Sequence, residues 1–276
     1  MDLMGTRIQT LRKNKGITQG QLAEVLSVSP QSVSKWENCL STPDISLLPV
    51  IARYFGISMD ELFGYRMEAL SYRERFIRFM ADNGVLRFGE FTLQSGRVSP
   101  CFINTGSYRS ASQISKLGEF YAECIREHNV ASGILVGNTR RDIPVMIATG
   151  LALFNRWGID MQYAIDGSVG KQLEAGDTVT LIKDTLTTGS TLKENLQAIR
   201  SSTGARVTDI IVSVDRSEKG ALQSQTARKE IESAYGVKIH SIVTMDDIIR
   251  AVENGIVGGM EHVDALRSYK EEYGGE

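Results

Sequence analysis

The sequence has 276 residues, 42% hydrophobic and 23% charged, which fits a soluble globular protein of one large domain or two smaller ones. Its net charge of −2 gives no chain-wide basic excess of the kind that draws nucleic acid to a whole surface. Cys39, Cys101 and Cys124 show no CxxC spacing and His128, His240 and His262 are scattered, so neither a disulfide framework nor a metal site is expected. With no long apolar run, the expected location is the cytoplasm, away from any membrane.

Residues 1–65 read as short helices only. Ile8 and Leu11 lie three apart, Leu22, Ala23 and Leu26 share a face, and Leu48, Ile51, Ala52 and Phe55 follow amphipathic helical spacing. Thr18 with Gln21 makes a capping box, Ser29–Pro30 supplies an N-cap and a pre-set first helical residue, and Ser58 is placed as the cap of a last helix reaching Leu62. About five such helices, each too short to persist alone, are expected on one small core. Residues 1–36 carry Arg7, Arg12, Lys13, Lys15 and Lys35 against Asp2 and Glu24, five minus two, a local charge of +3.

The segment TQGQLAEVLSVSPQSVSKWEN, Thr18 to Asn38, has the proportions of a helix-turn-helix. Through TQxxLA, SxxSVSKWEN, the following TPD and the closing ISxDELF, this region resembles the lambda-repressor/Cro-type (XRE-like) DNA-binding family. That resemblance implies five helices, the second helix of the motif entering the major groove, and a double-stranded DNA operator as partner. Ser29, Gln31, Ser32, Ser34 and Lys35 would then face base edges, Gln pairing with adenine and Lys with guanine or phosphate. Gln19 matches the family's phosphate-contacting glutamine, while Val33 and Trp36 are expected in the core.

Beyond a connector near Gly64–Ser71 the grammar changes. Apolar, β-rich runs recur at Gly133–Val136, Thr178–Ile182, Thr208–Val214 and Lys238–Thr244, with helical stretches between several of them. The expected class is α/β: an all-α unit, 1–65, followed by a mostly parallel sheet covered on both sides, 66–276. Within it, VTLIKDTLTTGSTL, Val179 to Leu192, places small and hydroxylated residues at the start of a helix, a cradle for phosphate.

From about Tyr72 to Tyr273 the chain is similar to orotate phosphoribosyltransferase, which joins orotate to phosphoribosyl pyrophosphate (PRPP). FGEFTLQSGRVSPCFINTG, SVDRSEKG, VTLIKDTLTTGST and KIHSIVTMDDII carry the likeness. It implies the type I phosphoribosyltransferase-like fold, with the ligand phosphate held by Thr187, Thr188, Gly189, Ser190 and Thr191, the ribose by Asp184, and the base by Arg216, Phe102 and Gln94. The sequence departs from the family pattern at four places. Lys183 replaces the first of two consecutive aspartates that serve ribose hydroxyls and Mg²⁺, and an ammonium can do neither. GNTRRD, Gly137 to Asp142, replaces a GPAYKG-type loop; Arg141 can stand in for its lysine, but Asp142 sets a carboxylate where a glycine admitted the anion. Gln94 replaces a lysine, and the long lid with its lysine and histidine is reduced to Tyr163–Gly170.

The chain therefore reads as a transcriptional regulator whose degenerate transferase domain dimerises and binds a nucleotide or PRPP as effector. The rival readings are an active orotate phosphoribosyltransferase carrying a DNA-binding module, in which Asp184, Lys183 and Arg141 would be the catalytic candidates, and a dimerisation scaffold with an empty pocket. No cofactor is firmly implied; Mg²⁺ enters only with transferase activity.

Overall fold

Alternation of caps and apolar faces sets the helices of the N-terminal region. The computed structural model describes residues 3–57, 59–63, 70–93, 96–165 and 169–275. Gln94, Ser58 and the middle of the shortened lid stretch lie outside the described residues. The chain divides into two units, Met1–Leu70 and Ser71–Glu276.

The first unit holds α1 (Leu3–Asn14), α2 (Gln19–Val25), α3 (Pro30–Glu37), α4 (Leu48–Phe55) and α5 (Met59–Leu62). Thr18 and Gln21 form the expected capping box, and Ser29 caps α3 with Pro30 at its first position. Gly56 ends α4 in the left-handed conformation. Ile8, Leu22, Val33, Trp36, Ile51 and Leu62 bury together, so no helix depends on its own propensity.

The second unit runs α6 (Tyr72–Asp82), β1 (Leu86–Thr92), β2 (Val98–Ile103), α7 (Ala111–Glu127), β3 (Ile134–Val136), α8 (Asp142–Trp157), β4 (Gln162–Ile165) and β5 (Val169–Gly170). It continues through β6 (Thr178–Leu186), α9 (Ser190–Thr203), β7 (Arg206–Asp215), α10 (Ala227–Tyr235), β8 (Lys238–Thr244), α11 (Met245–Glu253) and α12 (Val263–Tyr273). The main sheet has the order β5-β4-β3-β6-β7-β8, parallel except for the β4–β5 pair. β1 and β2 form a separate antiparallel hairpin, which the sequence reading had not separated from the rest.

Two cores lie on the two faces of the sheet. One gathers α6, α7, α8 and α11 through Phe76, Phe120, Tyr121, Met146 and Ile248. The other gathers α9 and α10 through Leu192, Leu196, Ile199 and Ile231. The chain leaves β3 toward β4 and leaves β6 toward β7, in opposite directions along the sheet, with α8 and α9 on opposite faces. Between β3 and β6 lies the switch point of an open parallel sheet, where the carboxyl ends of strands leave a crevice for ligand.

Candidate functional site

The candidate nucleic-acid face lies on α2 and α3. Val33 and Trp36 are buried, 0% and 5% exposed, which turns the opposite side of α3 outward. Gln31 and Lys35 are exposed there, and Ser32 and Ser34 are half-buried beside them. Ser29 is committed to the cap: its hydroxyl accepts from the Ser32 amide at 3.2 Å and meets the Ser32 hydroxyl at 2.9 Å. Gln19 does not hang free, since its Nε2 donates to Glu37 Oε2 at 2.8 Å.

Glu37 is a residue that the sequence reading missed. Arg12 donates to its two carboxylate oxygens, from Nε at 2.5 Å and from Nη2 at 2.9 Å. Burial pushes this carboxyl up, but the hydrogen bonds from Arg12 and Gln19 outweigh it and hold it below its ordinary value. One buried carboxylate thus ties α1, the start of α2 and the end of α3 together. The signal available in sequence was a charged residue one place after the core Trp36.

The second site lies at the switch point, a cleft of about 570 Å³ lined by Thr139, Arg140, Arg141, the end of β6 from Lys183 to Leu186, Thr187, and the start of α9 from Gly189 to Leu192. Gly189 has φ +77°, and a Cβ there would stand 2.5 Å from Ile231 Cδ1, so the turn into α9 admits only glycine without strain. No side chain caps α9, and among the described residues the amides of Thr187, Thr188 and Gly189 make no backbone hydrogen bond. The amides at the start of a 14-residue helix, with Thr187, Ser190 and Thr191 lining the cleft beside them, are a ready anion site.

Asp184 stands at the edge of this cradle. Its Oδ1 accepts from the Thr185 amide at 2.7 Å, and its Oδ2 accepts from Thr105 Oγ1 at 3.0 Å with Arg141 Nη1 at 3.9 Å. Thr105 had not been anticipated, because it comes from the short turn after β2.

Lys183 is more revealing. Its Nζ donates to Asp142 Oδ2 at 2.6 Å, and the two side chains are 7% and 1% exposed. The Asp142 carboxylate therefore does not confront an anion in the cleft, as the sequence suggested; it is turned inward onto Lys183. Burial pushes the Asp142 carboxyl up from its ordinary value, against the pull of the Lys183 ammonium. Asp142 Oδ1 is buried with no hydrogen-bond partner among the described residues. Tyr121 OH donates to the Lys183 carbonyl at 2.5 Å and fixes the strand end from beneath.

Of the residues expected to hold a base, Arg216 and Phe102 are not among the described residues that line the cleft. Arg216 is buried and donates from Nε to Glu218 Oε1 at 2.7 Å and from Nη2 to Ser99 Oγ at 3.1 Å and Tyr269 OH at 3.3 Å. An incoming carboxylate would compete with Glu218 for that fork. Phe102 stacks on Phe91 at 5.4 Å with Arg87 over its ring, and Gln94 lies outside the described residues.

Fold and cleft define an α/β domain of the phosphoribosyltransferase type with a phosphate cradle, preceded by a helix-turn-helix unit. The helix-turn-helix family (HTH_3) matches residues 8–62. Orotate phosphoribosyltransferase of Nitrosococcus oceani is 36% identical over 216 residues, covering 75% of this chain and 97% of that protein. The enzyme of the same name from Clostridium beijerinckii is 37% identical over 202 residues, 68% of this chain and 89% of its own length. The crystal structure of orotate phosphoribosyltransferase from Francisella tularensis superposes with a TM-score of 0.66 at 31% identity, covering 72% of this chain and 99% of that one. The chain belongs to the orotate phosphoribosyltransferase family, and it carries a helix-turn-helix domain in addition. No helix among the described residues is long and apolar enough to cross a membrane.

Proposed function

We propose that this protein is a DNA-binding transcriptional regulator whose transferase-derived domain binds a phosphorylated nucleotide or PRPP as effector and does not turn it over. The observation that carries the reading is the Lys183–Asp142 pair, 2.6 Å apart and buried at the end of β6. Transfer of a phosphoribosyl group requires carboxylate acceptors for the ribose hydroxyls and neutralisation of the departing pyrophosphate. At Lys183 the acceptor is replaced by a donor, and that donor is itself consumed by Asp142. The phosphate cradle, by contrast, keeps amides that make no backbone hydrogen bond among the described residues, so grip on a phosphomonoester is retained while the means of turnover are not. Asp184 is left to hold the ribose alone. Gln31, Ser32, Ser34 and Lys35 would read the operator, and Gln19 would meet a phosphate beside it. A dimer formed by the transferase domain would set two recognition helices on half-sites one helical turn apart.

A steady-state assay with orotate, PRPP and Mg²⁺ tests this. Turnover at ordinary enzyme rates, about 1 per second or faster, defeats the reading. That result would establish the second reading, an active transferase with a DNA-binding module, which is favoured by 36% identity across 97% of a relative named as that enzyme. Thermal-shift measurement with uridine monophosphate, orotidine monophosphate and PRPP tests the effector claim: no stabilisation by any of them leaves only a scaffold.

A further inference from the structure

Resting on that reading, we infer that the cleft takes its phosphorylated ligand as the bare anion, without a divalent cation, because the protein's own cations occupy the ground that Mg²⁺ would need. Enzymes that use PRPP with Mg²⁺ offer the metal oxygen ligands, and Mg²⁺ demands a near-octahedral oxygen set built from carboxylates, substrate phosphates and waters. Here Asp184 is the one carboxylate among the residues lining the cleft. Its Oδ2 already accepts from Thr105 and faces the Arg141 guanidinium at 3.9 Å, and its Oδ1 accepts from the Thr185 amide. The neighbouring position presents Lys183, which lines the cleft, whereas its counter-ion Asp142 is 1% exposed and is not among the lining residues. A divalent cation entering the mouth would meet Arg140 and Arg141 as well, for one available carboxylate. The residues present do not fit the metal.

They do fit a dianionic phosphate. Arg141 is 67% exposed, so its fork can swing from Asp184 onto ligand oxygens, while the α9 amides hold the opposite side of the phosphate. The charge that a metal would bring is thus covalently built in, and ligand recognition is uncoupled from Mg²⁺ concentration. PRPP, which brings its own Mg²⁺, is disfavoured relative to a simple nucleoside monophosphate.

Isothermal titration of the full chain with uridine monophosphate and with PRPP, each in EDTA and in MgCl₂, provides the test. The monophosphate should bind with dissociation constants agreeing within about twofold in the two buffers, and PRPP should gain nothing from the metal. Arg141→Ala, a change at an exposed side chain, should weaken the monophosphate by roughly tenfold. The reversal Lys183→Asp with Asp142→Gly should make PRPP binding at least about tenfold tighter with Mg²⁺ than without it. Binding by the unaltered chain that is lost in EDTA and restored by Mg²⁺ overturns the inference and leaves the effector reading standing. No binding in either buffer overturns both. If the reversal variant does not fold, the EDTA comparison and Arg141→Ala decide.

Discussion

Lys183 and Asp142 replace different features of the family pattern, and each alone would be a liability. An unpaired ammonium or carboxylate at 7% or 1% exposure carries a desolvation cost that nothing nearby offsets. Together they offset each other in part, since burial still holds the Asp142 carboxyl above its ordinary value. Asp142→Ala should therefore lower stability by about 3–5 kcal/mol, whereas Asp142→Leu combined with Lys183→Met should recover most of that loss, read from denaturant titration of the full chain. A single and a double variant of equal cost would mean that the pair is not coupled. Glu37 follows the opposite logic, with its proton affinity lowered in the fold. Its carboxylate form is favoured by folding, so its contribution is whole above the usual carboxylate value of 4.5 and drains away as the pH falls below it. Trp36 fluorescence in a Trp157→Phe background should report acid loosening of the helix-turn-helix unit in that range. The Glu37→Gln variant should be less stable at pH 7 and should lose stability less steeply than the parent between about pH 5 and pH 3, below the ordinary carboxyl pKa. A Glu37→Gln profile as steep as the parent's would assign the acid loss to another carboxylate.

At the scale of the element, α3 acts through its exposed face and α9 through its first turn. α3 presents Gln31 and Lys35 on the side opposite Val33 and Trp36. Binding to an operator selected from random duplexes should separate their roles. Gln31→Ala should relax preference at one base position by about 1–3 kcal/mol, and if Lys35 meets a phosphate, Lys35→Ala should reduce the salt slope by about 1. Operator affinity that survives both changes together would mean that another surface reads the DNA. α9 depends on Gly189, where φ is +77° and a Cβ would meet Ile231 at 2.5 Å. Caps and core faces of the first unit were legible in the sequence because they are local: Thr18 meets Gln21 and Ser29 meets Ser32, three residues apart. β6, β7 and β8 were legible because strands covered on both faces read as continuous apolar runs. β4 and β5 were not, being short, with Gln162, Tyr163 and Val169 exposed. The β1–β2 hairpin was obscured by its register shift between Phe88 and Phe91. In the cleft, the phosphate loop was readable from its composition, but the Lys183–Asp142 pair spans 41 residues of sequence. Two compensating changes therefore looked like two separate losses, and the Thr105 contact to Asp184 had no local signal at all.

For the whole molecule, the decisive property is whether its two units exchange free energy. A cleft that retains phosphate binding without turnover has a use if occupancy changes the affinity for DNA, and such coupling is reciprocal by thermodynamic necessity. Whatever factor uridine monophosphate, or another effector, imposes on operator affinity, the operator must impose on the affinity for that effector. A regulator with coupling of about 1–3 kcal/mol would show factors of roughly 5–150 in both directions. The experiment is a pair of titrations under one salt concentration, since DNA affinity moves steeply with ionic strength. In the first, fluorescence anisotropy follows a labelled operator duplex with the chain, with and without saturating effector. In the second, calorimetry follows effector binding to the free chain and to the operator complex. Equal factors, lost together in Gly189→Ala because the strained cradle no longer grips phosphate, are the expected result. Effector binding with a factor of 1 in both titrations would leave two functional units joined in one chain without communication, and the case for a regulator would pass to the transferase reading.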